Sequence, residues 1–142
     1  MGGLLWTGAF EAVAEIMHYP QRVETRDGGV HYAAPHQMRE AASEFRAFLS
    51  RMGATSYHRI AKHATFADGD RTRIEGAHTT HILRGGNYAV EPFTSHLTLV
   101  LRDGVWLGAG LRSAISNHTC TILPPAHLAA QRQAQAGQSK EG

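Results

Sequence analysis

Histidine is the side chain best suited to moving protons near neutral pH, and this chain carries ten among its 142 residues. Five of them, His58, His63, His78, His81 and His96, fall in stretches that read as β-strands. Alternate residues of a strand share a face. His58 and His63 are five apart and His78 and His81 three apart, so neither pair aims two imidazoles at one point. With no HExxH and no Cys/His cluster, the spacing predicts no metal site. Two histidines are candidates for acid–base chemistry. His63 shares a face with Tyr57, Arg59, Ala61 and Thr65; His81 shares one with Glu75, Ala77, Thr79 and Leu83. If Thr79 and Ala77 point inward, small residues line a pocket mouth with His81 beside them. A catalytic imidazole also needs a polar partner within hydrogen-bond reach, and the competing reading is of sheet histidines at the surface or in a dimer interface.

Other residues carry chemistry only on one orientation. Arg112 binds a carboxylate if it faces inward and is a surface or interface charge if it faces out. Trp106 is either core or a wall on which a ligand stacks. Gly108 and Gly110 mark a bend, or floor space for a ligand. The dipeptide His-Tyr occurs twice, at His18-Tyr19 and His31-Tyr32, without a spacing that sets both pairs on one substrate; Tyr32 edges the expected pocket. Cys120 is the sole cysteine, which precludes an internal disulfide and fits a reducing, cytoplasmic setting.

The elements that must position these groups follow from periodicity. Trp6, Phe10, Val13 and Met17 recur on one face of a helix over 4–18, which Pro20 stops. "QRVETRDGGVHYA" is a hairpin around Asp-Gly. "APHQMREAASEFRAFLSRMGA" is the clearest helix, with Met38, Ala41, Ala42, Phe45, Phe48, Leu49 and Met52 on its apolar stripe and Gly53 at its end. Then "SYHRIAKHATFA", "TRIEGAHTTHIL", "YAVEPFTSHLTLVL" and "VWLGAGLRSAISN" are separated by "DGD", "RGGN" and "RDG", which predicts an antiparallel meander of four long strands. Residues 1–123 form one α+β domain; 124–142 are a polar tail expected to be a short helix or disordered.

Helix, hairpin, helix and four strands in this order resembles the nuclear-transport-factor-2-like superfamily, also called SnoaL-like. The resemblance covers roughly residues 4–117 and rests on "AFEAVAEIMHYPQRVE", "YAAPHQMREAASEFRAFLSRMG" and "LTLVLRDGVWLGAGLRSAISN". It implies a cone: a strongly curved antiparallel sheet wrapped around the N-terminal helices, with a pocket at the open end. It also implies a homodimer through the outer sheet face. Members include ketosteroid isomerases, scytalone dehydratase and polyketide cyclases, so the fold leaves the function open. In the ketosteroid isomerases a catalytic Asp follows Val-Glu of the first strand; here Val23-Glu24 is followed by Thr25.

A net charge of +2 with no basic patch argues against a nucleic-acid partner. No stretch approaches the ~20 apolar residues of a membrane span, and none reads as a signal peptide. The expected function is small-molecule binding in a mostly apolar pocket, through Tyr32, Thr79, Trp106 and Arg112. The alternatives are a cofactor-free isomerase, dehydratase or cyclase using His63 or His81, and an interaction module with a filled cone.

Overall fold

The apolar stripe over residues 4–18 does not make one helix. In the computed structural model, which describes residues 2–141, it makes two short ones, α1 (Gly2–Thr7) and α2 (Phe10–Glu15). Gly8 separates them at φ +83°, a conformation open to glycine and strained for most other residues. The chain then enters β1 (Met17–Thr25) earlier than expected, with Pro20 inside the strand after a cis peptide bond. β2 (Gly28–Tyr32) returns antiparallel from the Asp27-Gly28 turn.

Pro35 opens α3 (Pro35–Arg51), where a missing N–H costs nothing. The Gln37 side chain accepts from the backbone N–H groups of Ala33 and Ala34 at 2.8 and 3.2 Å. Met38, Ala41, Ala42, Phe45 and Leu49 bury the predicted stripe, and Gly53 turns the chain away at φ +75°.

The meander follows as β3 (Ser56–Ala67), β4 (Asp70–Arg84), β5 (Asn87–Arg102) and β6 (Val105–Ser113). The six strands form one curved sheet in the order β2-β1-β6-β5-β4-β3, antiparallel except where β1 joins β6. Register shifts interrupt each long pairing, between Ala61 and His63, between Thr80 and Ile82, and between Thr98 and Leu99. Such bulges bend a strand and raise its twist. Gly108 admits β1: a Cβ there would lie 2.8 Å from the Met17 sulfur.

In the tail a helix, α4, spans Pro125–Glu141. Its first turn is seated on β2 and α3. Leu128 is buried, and His127 bonds the Tyr32 hydroxyl and a Glu40 carboxylate oxygen, each at 3.1 Å. Among the described residues no helix is long and apolar enough to cross a membrane.

Candidate functional site

The helices cover only part of the concave sheet face. Between the two, side chains leave a cavity of about 620 Å³. Val13, Met38, Ala42 and Phe45 line it from the helices, and Leu97, Leu99, Leu111 and Trp106 from the sheet. Leu97 and Leu99 of β5 therefore look inward and line this space. Ile122 and Leu123 close a further side. They are held there by Asn117, whose side chain donates to the Leu123 carbonyl and accepts from its N–H, both at 2.8 Å. That loop is tied to the hairpin turn because the Asp27 carboxylate accepts from the Ser116 hydroxyl at 2.9 Å and from the Asn117 N–H at 2.5 Å. The Ser116 bond is the main reason the Asp27 pKa lies below its ordinary value.

A polar belt crosses this apolar interior. Its members are fixed by strand register: Arg59 lies opposite Thr80, His78 opposite Ser95, and Ser95 opposite Ser113. The two serines share a 2.7 Å hydrogen bond, so their polarity is satisfied. Three other atoms are not. Gln21 Oε1, Arg59 Nε and His78 Nε2 are buried without a protein partner, and all three residues line the cavity. Folded chains leave few such atoms, and each costs roughly 1–3 kcal/mol if nothing else bonds it.

Charge in the cavity is one-sided. Among the described residues, Arg59 is the only arginine on its wall, and no Asp, Glu or Lys lines it. Among the described residues Arg59 makes no ion pair. Its guanidinium stands 5.9 Å from the Tyr57 ring centre. Burial, helped by the Arg59 charge, depresses the His78 pKa to about 4, so this imidazole is neutral at pH 7. Burial raises the pKa of both cavity tyrosines, Tyr57 and Tyr32. The side chains offer polar recognition in an apolar setting, without a carboxylate to activate the buried histidine. Among the described residues no group of His, Cys, Asp and Glu is clustered to hold a metal.

The residues singled out by sequence are dispersed. Tyr32 and Trp106 line the cavity. His63 also lines it, at the bulge of β3, with an exposed side chain. Thr79 and His81 belong to the other face of β4, since His78, Thr80 and Ile82 are the buried alternates. His81 pairs with His58 across the strands and packs against Tyr88, ring centres 6.0 Å apart. Arg112 is exposed and opens onto a separate outer cleft of about 270 Å³ with Arg22, Glu24, Glu75 and His96. Its face is set by the irregularity near Gly110: Trp106 and Gly108 line the cavity before it, Leu111 and Ser113 after it. Reading β6 as uninterrupted puts Arg112 on the Trp106 face, where it does not lie. Arg59, His78 and Gln21 carried no sequence motif; the available signal was that His78 alternates with Gly76, Thr80 and Ile82.

No family model and no curated protein matches the chain. Solved structures do. A domain of unknown function with a cystatin-like fold from Nostoc punctiforme aligns at TM-score 0.64 and 15% identity, over 100% of this chain and 91% of that one. An NTF2-like protein with a cystatin-like fold from Novosphingobium aromaticivorans aligns at 0.58 and 14%, covering 87% and 81%. A de novo designed protein with a curved β-sheet aligns at 0.53 and 12%, covering 78% and 92%. The chain shares the α+β cystatin-like fold of these structures. Solved examples of that fold include proteins of unknown function, so any role for this one rests on its own side chains.

Proposed function

We propose that this protein binds a small, mostly apolar organic molecule inside the cone. The observation that carries this reading is the apolar cavity crossed by buried polar atoms without protein partners. Its volume falls in the range of roughly 300–1,000 Å³ typical of small-molecule sites. Binding ranks above catalysis because the buried imidazole, His78, has its pKa depressed to about 4 and no carboxylate beside it on the cavity wall. A general base works best with a pKa near the working pH. We also propose that the protein pairs with a second copy through the outer sheet face.

The test is calorimetric titration with a neutral amphiphile, 1-dodecanol, on the wild type and on Ala42→Phe. Ala42 is buried on α3 and lines the cavity, so a benzyl group there occupies ligand volume. Saturable binding by the wild type, weakened at least tenfold in a variant of unchanged circular dichroism, supports the reading. A wild type that binds nothing, or a variant that binds equally well, rejects it.

A further inference from the structure

The polar end of the cavity is specific about charge. Among the described residues its wall holds one permanent cation, Arg59, and no anion. Arg59 is half-buried beside Tyr57, its Nε has no hydrogen-bond partner and, among the described residues, its guanidinium makes no ion pair. Guanidinium groups present parallel N–H donors matched to the two oxygens of a carboxylate. His78 sits diagonally across from Arg59, since its direct partner is Ala61 and that of Arg59 is Thr80. Diagonal neighbours are about 7–8 Å apart at the backbone, within reach of long side chains. The unpartnered Nε2 of His78 therefore supplies a second donor, in the tautomer that carries its proton there, beside the guanidinium. Gln21 Oε1, on β1 at the other side of the belt, can only accept. It suits a hydroxyl or amide N–H on the body of the same molecule. Aliphatic and aromatic side chains form most of the remaining wall, which fits an apolar body.

We propose that the ligand is a carboxylic acid with an apolar body, bound as its carboxylate by Arg59 and His78. The proposal rests on the reading of the cavity as a ligand site and names the class of ligand it takes. A carboxylate fits better than a phosphate monoester, because the wall offers one guanidinium and no second permanent cation for a dianion.

Matched probes test it: dodecanoate, 1-dodecanol and dodecyl phosphate, titrated into the full chain at pH 7.5 by calorimetry. The wild type should bind dodecanoate at least tenfold more tightly than dodecanol. Arg59→Gln should reduce that preference to within about twofold in a variant whose circular dichroism is unchanged. Arg112→Gln should keep it, because Arg112 faces the outer cleft. Equal affinity of acid and alcohol for the wild type overturns the carboxylate assignment and leaves the cavity reading standing. So does a preference that survives Arg59→Gln, or tighter binding of the phosphate. If neither acid nor alcohol binds, the cavity reading fails and this proposal fails with it.

Discussion

His78 is a histidine buried in the wall of an apolar cavity. Its side chain is 6% exposed, and its pKa falls from 6.5 to about 4 on burial beside Arg59. The unfolded chain therefore takes up a proton at higher pH than the folded one. Stability tracks the difference in bound protons. It is unpenalised above about pH 6.5, declines as pH falls toward 4, and levels off below. At roughly 1.4 kcal/mol per pKa unit, the loss reaches up to about 3 kcal/mol. His78→Gln keeps a polar, uncharged side chain and removes this proton. Urea unfolding at pH 7.5 and pH 4.5 should show a smaller acid loss in the variant than in the wild type. Identical losses would mean that His78 titrates normally in the fold. Cys120 lies at the other chemical extreme: fully buried, with burial pushing its thiol up to about 12, it is a core residue with no thiolate at neutral pH.

At the scale of elements, most of the architecture was readable from periodicity. The stripe on α3, the Asp27-Gly28 hairpin and the three glycine turns of the meander are local signals, and each produced its element. The faces of the strands were less readable. Alternation counts correctly only between bulges, and a bulge depends on how two strands pair rather than on either one alone. Unbroken alternation would put Trp106 and Arg112 on one face, and the irregularity near Gly110 separates them. Thr79 and His81 were considered as inward residues for a related reason. Nothing local says which face of β4 will meet α3, and the buried face proved to be that of His78, Thr80 and Ile82. The loop that closes the cavity is held by a polar device invisible to hydrophobic patterning. Asn117 bonds both backbone groups of Leu123, which is 1% exposed. Asn117→Ala would orphan two buried backbone groups, and should cost about 2 kcal/mol or more. Urea denaturation measures the cost; a change below about 0.5 kcal/mol would show that the loop is held by other contacts.

At the scale of the molecule, the inner and outer sheet faces are built differently. The inner face spends its side chains on the core and cavity. The outer face leaves Ile60 56% and Val105 55% exposed, one on the edge strand β3 and the other on β6. Each alternates with a cavity-lining neighbour, Arg59 and Ala61 for Ile60 and Trp106 for Val105, so both point away from the helices. Between them run threonines and histidines of β4 and β5, such as Thr79, Thr94 and His96, with the charges of Arg22, Glu24, Glu75 and Arg112 gathered at one cleft. A second copy would cover these apolar side chains. Light scattering should then give twice the 15.5 kDa of the chain. The double variant Ile60→Lys with Val105→Lys should give a folded monomer of unchanged circular dichroism, since neither side chain belongs to the core. A wild type that scatters as a monomer at high concentration removes the dimer. A double variant that remains dimeric moves the contact to another face, which leaves the cavity and its ligand on separate ground.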